Sequence, residues 1–397
     1  MHRRSFLTST LAAGASAAFG GPVQSLRVAV IGHTGRGDYG HGLDTLWLGL
    51  PSISIVAVAD PDDSGRTKAL KRLKTDRGFS DYRDMLNTVK PDIVSIALRH
   101  IDQHHDMVLA AVDAGVKGIY IEKPFCRDLL EADSMINVLE KSGARLAIAH
   151  RLRYHPVLPV IKSLIMEGAI GQVLEIRTRG KEDHRGGPLD LWVLGTHLLN
   201  LATCIAGDAV ACSASILKEG LPVTKLDVTN GDEGIGPTAG DEVHARFETS
   251  SGIPVFYDCV RNKGVREASF GMQIIGNQGV IDFRLDVDQH SDGEPVARLI
   301  HGCPFLPPTA PRSWTPITSA GLDKPEPIEG ISKLVRGHHA AIHDLIAAIE
   351  EDREPLCNAK EGRSTVEMIF AVFESHRQHG ARIAFPLKEK RHPLLLL

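Results

Sequence analysis

Aromatic residues are scarce in this chain of 397 residues, at 5% of the sequence, and there is no basic excess: 45 Lys and Arg stand against 49 Asp and Glu, for a net charge of −4. Both scarcities argue against a nucleic-acid binder, which needs a basic surface interleaved with stacking rings. Cysteine is sparse and scattered, at positions 126, 204, 212, 259, 303 and 357, with no C-x-x-C pair. That spacing argues against zinc ribbons and thioredoxin-like redox motifs. The six read as small buried hydrophobes, with a disulfide left open. Beyond the first 20 residues no apolar run reaches the length of a membrane span. What is abundant is apolar content, 43%, in a chain long enough for two or three domains with sizeable cores.

The N-terminus reads as a targeting segment. His2-Arg3-Arg4-Ser5-Phe6-Leu7 is followed by Thr8 to Gly20, which is small, apolar and uncharged. A basic start, a short apolar stretch and small residues near Ala17 make a signal peptide over 1–25, and the arginine pair gives it a twin-arginine character. The expected location is periplasmic or otherwise extracytoplasmic, with the twin-arginine machinery as a partner.

From Leu26 to about His150, apolar strand patterns alternate with helix patterns, which implies a parallel sheet with right-handed crossovers. Strands are expected at 27–31, 54–59, 93–97, 117–121 and 145–149, and helices at 64–75, 103–114 and 129–141. After His155-Pro156 a helix (157–167), a strand (172–180) and a helix (191–206) precede strands at 209–217, 241–249, 253–261, 270–276, 279–285 and 295–301. Short turns such as Asn277-Gln278-Gly279 make these an open, mostly antiparallel sheet. Residues 302–332 hold seven prolines and read as a long loop; helices at 337–351 and 362–379 close the chain. The expected class is α/β: a Rossmann domain (26–150), an α+β domain for substrate and oligomerisation (151–335), and C-terminal helices (336–387) packing back on the first domain.

Several positions carry chemistry. The first strand runs into VAVIGHTGRGDYGHG, where a phosphate loop of a dinucleotide site belongs. One register uses Gly32, Thr34 and Gly37, with Gly35 aiding backbone approach. A second uses Gly35, Gly37 and Gly40. Asp60 ends the second strand, 28 residues after Gly32, where an acid binds ribose hydroxyls and favours NAD; Arg66 nearby leaves NADP open. Glu122-Lys123-Pro124 follows the strand 117–121, at the end of the sheet where such folds bind ligands. Lys123 can stabilise alkoxide character, with Glu122 orienting it and a cis bond before Pro124 fixing the turn. His197 is a candidate base. His339 and His343 share a helix face, but no H-E-x-x-H is present and no metal is assigned.

Together these segments resemble the Gfo/Idh/MocA oxidoreductases. The resemblance rests on Ala110-Ala111-Val112-Asp113-Ala114-Gly115, Glu122-Lys123-Pro124, Arg153-Tyr154-His155-Pro156, Gly168-Ala169-Ile170-Gly171-Gln172-Val173 and Gly195-Thr196-His197, and covers roughly 26–387. It selects the register of Gly32, Thr34, Gly35 and Gly37, with a helix starting late, near Leu43. It adds His104 to the cofactor residues and implies catalysis by Lys123 and His197 on a small carbohydrate. It also implies a homo-oligomer through the open sheet, while the export signal favours tightly held NAD, since free NAD is scarce outside the cytoplasm. Arg153, Tyr154, Lys181, His184, Arg185 and Asp190 are substrate candidates. The chain departs from the family at Val193, where many members carry an aspartate four residues before the histidine, and at Arg99-His100-Ile101 in place of Thr-Pro-Asn. The expected activity is hydride transfer at a CH–OH carbon. An NAD-dependent glycosidase and a non-catalytic sugar binder are the alternatives.

Overall fold

The computed structural model describes residues 25–264, 270–285 and 295–397; the predicted signal peptide, 1–25, lies almost wholly outside them. Five apolar segments become the centre of a parallel sheet because each is buried on both faces. The first domain holds β1 (Leu26–Ile31), β2 (Ile53–Ala59), α1 (Asp63–Leu73), β3 (Gly78–Phe79), α2 (Tyr82–Val89), β4 (Ile93–Ile96), α3 (His104–Asp113), β5 (Gly118–Ile121), α4 (Leu129–Ser142) and β6 (Arg145–Ile148). Strand order is β3-β2-β1-β4-β5-β6, all parallel. Order reverses between β1 and β4, which opens a crevice at their carboxyl ends. The helices begin where the sequence caps them: Asp62 accepts from Gly65 N at 2.6 Å and Asp128 from Glu131 N at 2.8 Å.

One expected helix does not form. After the glycine loop only a 3₁₀ turn, Thr45–Trp47, precedes β2. Gly35, Gly37, Gly40 and Gly42 take φ between +58° and +85°, and helical φ is negative, so the segment stays a chain of turns.

The second domain begins with α5 (Val157–Met166) and β7 (Val173–Arg179). Helix α6 (Pro188–Asp190) runs through a π turn, Leu191–Gly195, into α7 (Thr196–Ala206). Then come β8 (Ala209–Lys218), β9 (Leu221–Pro222), the hairpin β10 (Thr229–Asn230) and β11 (Pro237–Thr238), β12 (Glu242–Thr249), β13 (Val255–Val260), β14 (Gly271–Gly276), β15 (Gly279–Arg284) and β16 (Ala297–His301). The predicted loop 302–332 holds a further hairpin, β17 (Thr315–Thr318) and β18 (Gly321–Leu322), which extends the sheet from β16. The sheet is antiparallel except where β7 pairs with β13.

The C-terminal part comprises α8 (Ile331–Arg336), α9 (His339–Glu350), α10 (Ala359–Arg377) and β19 (Ile383–Ala384). Helix α10 bridges both domains. Arg363 pairs with Asp133 on α4 at 2.6 Å, while Ser375 and His376 accept from Ala214 N and Ile216 N on β8. All six cysteines are free. The stretch Pro188–Ala206 is long and apolar enough to cross a membrane, contrary to the sequence reading, but it is two-thirds buried inside the protein and acts as a core helix.

Candidate active site

The glycine loop is held by its own neighbours. Asp60, fully buried at the end of β2, accepts from Thr34 Oγ1 at 2.7 Å, Thr34 N at 3.2 Å, Tyr39 Oη at 2.8 Å and Asp62 N at 3.0 Å. The Tyr39 ring lies on Gly32, where a Cβ would meet it at 2.2 Å. Gly37 lies against the backbone of Arg99, and Gly35 faces open space. Asp60 therefore braces the loop in this conformation, with both carboxylate oxygens engaged, instead of facing a ribose. Arg66 is bound to the Asp60 carbonyl at 2.8 Å and to Asp63. Beside Gly32 a groove of about 340 Å³ opens at the carboxyl ends of β1, β2 and β4, lined by Gly32, His33, Pro61, Tyr82, Asp102 and Gln103.

At the other end of the crevice stands Lys123, between β5 and α4, after which the bond to Pro124 is cis. Its ammonium is buried and donates to the Val193 carbonyl at 2.8 Å. The position that lacks the expected aspartate side chain thus holds the lysine through its backbone, beside the π turn. Burial pulls the Lys123 pKa below the ordinary lysine value, against the attraction of Glu122 and Glu233. Burial alone would raise the Glu122 carboxyl, but His41 and Lys123 hold it well below the usual carboxylate range. Glu122 accepts from His41 Nδ1 and N and from Lys123 N.

His197 sits early in α7 and faces His150, two residues past β6. Their Nδ1 atoms are 3.4 Å apart and the rings meet edge to face at 5.0 Å. Burial, and then Lys123, pull His150 down to about 3. Burial, and then His150 and Lys123, pull His197 well below the usual value. Both imidazoles are therefore neutral at physiological pH, and across the shared contact one nitrogen donates while the other accepts.

Several predicted residues lie elsewhere. His104 is buried with Nδ1 3.1 Å from the Phe125 carbonyl and Nε2 2.9 Å from that of Leu98, so neither nitrogen is left for a cofactor. Arg153 is spent on the Asn200 carbonyl at 3.3 Å and Glu361 at 3.2 Å, tying α7 to α10. Tyr154 is buried against the backbone of Cys357. Asp190 is fully buried, accepting from Glu182 N at 3.1 Å and Tyr257 Oη at 3.2 Å; burial raises its pKa to about 6. His184 projects into solvent, and Lys181 is half-buried. Arg185 pairs with Asp183 at 2.5 Å on the Lys123 side of the cleft. The sequence reading missed His41 and His150. His150 carried a usable signal: it follows a parallel strand at the carboxyl end.

Comparison with known proteins fits this geometry. Residues 26–150 match the Gfo/Idh/MocA profile described as an oxidoreductase family with an NAD-binding Rossmann fold. Residues 162–385 match the profile of the family's C-terminal alpha/beta domain. The chain belongs to this family of oxidoreductases. The levoglucosan dehydrogenase of Pseudarthrobacter phenanthrenivorans is 25% identical over 60% of this chain and 66% of its own length. The D-apiose dehydrogenase of Paraburkholderia graminis is 23% identical over 84% of this chain and 83% of its own. A crystal structure of a levoglucosan dehydrogenase with NADH and levoglucosan shares the fold, with a TM-score of 0.69, 21% identity, and coverage of 91% of this chain and 99% of that one.

The residues present fit NAD, with one difference. The groove beside Gly32 accepts an adenosine, Gly35 leaves room for a diphosphate, and buried Arg99 Nε lacks a partner between the loop and Lys123. The loop presents turn backbone to a diphosphate, with Arg36 paired to Asp102 at 2.5 Å, where related folds present a helix N-terminus.

Proposed function

We propose that the protein oxidises or reduces a CH–OH carbon of a sugar, polyol or related neutral carbohydrate, with NAD as hydride carrier. The observation that carries the reading is the buried Lys123 ammonium beside the neutral His150–His197 pair, in the cleft between the domains. NAD, when bound, takes up or returns the hydride of the carbinol carbon. Lys123 donates to the carbinol oxygen and favours its alkoxide character. His197 accepts the hydroxyl proton, and His150 shares it across the 3.4 Å contact. Glu122, fixed by His41, orients the lysine backbone. The relatives named for levoglucosan and D-apiose support a neutral carbohydrate as substrate.

The test is to purify the protein after native export without added nucleotide, denature it and assay released NAD by mass spectrometry. Sugars are then screened by the absorbance of NADH. Stoichiometric NAD and turnover of a sugar support the reading; failure to bind added NAD sinks it. The second reading, an NAD-dependent glycosidase, is favoured by Val193, which stands four residues before His197 where many members of the family carry an aspartate. Hydrolysis of an aryl glycoside without added NAD selects it. Sugar affinity without hydride transfer selects the non-catalytic binder.

Export through the twin-arginine route is part of the proposal, supported by Arg3-Arg4 and the short apolar stretch after them. Folding around NAD before export would supply the cofactor where free NAD is scarce. Replacing both arginines by lysine is expected to hold the protein in the cytoplasm. The uncovered sheet face, with Arg177, Arg246 and Glu248 on it, is the proposed oligomer surface.

A further inference from the structure

The hairpin β10–β11 leaves the second domain and ends against the first. Its tip, Asp232–Gly234, packs on the connection after β4: a Cβ at Gly234 would sit 2.6 Å from Asp102 Oδ1. Glu233 at this tip has φ +57°, a left-handed conformation that residues with a side chain seldom adopt. Its carboxylate stands 3.7 Å from the Arg99 guanidinium, too far for a hydrogen bond. Asp102 holds Arg36 through Oδ2 at 2.5 Å, leaving Oδ1 free. Three polar atoms at this junction, Arg99 Nε, Asp102 Oδ1 and Glu233 Oε2, are buried without a hydrogen-bond partner. The other such atoms among the described residues belong to Tyr154, Trp192, Thr196 and His392, none of them charged in the way these three are. Each group keeps one ionic contact, Arg99 with Glu233 and Asp102 with Arg36, yet each leaves one buried polar atom without a hydrogen bond, and three such atoms together mark a place where a ligand supplies the partners.

The junction adjoins the glycine loop, since a Cβ at Gly37 would sit 2.5 Å from Arg99 N, and the charges of Arg99 and Glu233 both reach Lys123. Glu122 is already committed to His41 and to the backbone of Lys123. Glu233 therefore brings to this side of the cleft a carboxylate with an open acceptor, next to an arginine with an open donor. A ligand matching both on adjacent atoms carries two neighbouring hydroxyls: one oxygen accepts from Arg99 Nε–H, and the other O–H donates to Glu233 Oε2.

We propose that Arg99 and Glu233 form a vicinal-diol clamp that closes between the two domains. The diol comes either from the carbohydrate substrate or from the nicotinamide-side ribose of NAD. The clamp rests on the oxidoreductase reading above, but its test is separable from it. Full-length wild type, E233Q, R99Q and the double variant are titrated with NADH by fluorescence. They are then titrated with levoglucosan and with myo-inositol, each with and without NADH, by calorimetry. D232N, on the same hairpin, controls for charge alone.

Weakening of NADH by about tenfold in E233Q and R99Q assigns the clamp to the ribose, the loss expected for one charge-assisted hydrogen bond. Unchanged NADH with a polyol weakened about tenfold assigns it to the substrate. In either case the double variant should lose little more than each single one. If E233Q does not fold, R99Q reports on the same clamp from the opposite domain. The proposal is overturned if E233Q and R99Q stay within about twofold of wild type for every probe, or if D232N matches their losses. Wild type that fails to bind NADH would sink the oxidoreductase reading, while the polyol titrations would still test the clamp.

Discussion

Two parts of the dinucleotide crevice differ in how they treat polar groups. At the glycine-loop end, the buried Asp60 carboxylate receives donors from Thr34, Tyr39 and Asp62. Between that loop and the lysine, Arg99, Asp102 and Glu233 keep buried atoms without hydrogen-bond partners. One part is self-sufficient; the other is incomplete. A fold tolerates incompleteness where a ligand supplies the partner, so the loop end is a preformed wall of the cofactor groove and the unsatisfied atoms mark the stretch between it and the lysine.

Five substitutions would break or sharpen that comparison. The largest effect is expected from Lys123→Met, which should lower kcat about a thousandfold with the melting temperature kept, as loss of an oxyanion-stabilising donor does. Steady-state turnover beside a thermal melt checks it. A next step addresses the wall: Gly32→Ala forces a Cβ into the Tyr39 ring, and overpacking there should cost about 1–3 kcal/mol in chemical denaturation. Tyr39→Phe, which only removes one donor from Asp60, should cost about 1 kcal/mol. If Y39F costs no stability, the Asp60 brace does not hold the loop and the contrast fails.

A smaller effect is expected from His150→Phe. Removing a neighbour that pushes the His197 pKa down lets that value rise, so the acid limb of the kcat/KM profile should move to higher pH. An unmoved limb would separate His150 from proton transfer.

The smallest is a stability effect at Asp190. Its folded pKa, about 6, lies above the ordinary carboxylate value of about 3.9, because burial disfavours the charge. The protonated form is therefore the one the fold favours. That contribution is full below the ordinary value and is lost as pH rises to about 6. Asp190→Asn removes this loss, so its melting temperature at pH 7 relative to that at pH 4 should be higher than in wild type, even though one of the two accepted hydrogen bonds is lost.

Much of the first domain was legible because its signals are local. Apolar runs such as Val28–Ile31 and Ile93–Ile96 must be buried strands, and Asp62 and Asp128 cap the helices that follow β2 and β5. The glycine loop misled in one respect. Its pattern predicted a helix near Leu43, but four positive-φ glycines in eight residues keep it from forming. The strand pair β17–β18 hid among the prolines of 302–332, since it is short and forms only by pairing with β16. His104, Arg153 and Tyr154 matched family positions, yet backbone carbonyls, Asn200 and Glu361, and the Cys357 segment claim them.

The sequence by itself determined the order of strands and helices, the glycine turn, and Lys123 at a strand's carboxyl end, because each is a matter of nearest neighbours along the chain. Only the tertiary structure decided that Val193 holds Lys123 through its carbonyl, that His150 faces His197 and that Glu233 reaches Arg99. Those contacts span 70, 47 and 134 positions, and no local periodicity encodes a meeting that two separate sheets and a bridging hairpin bring about.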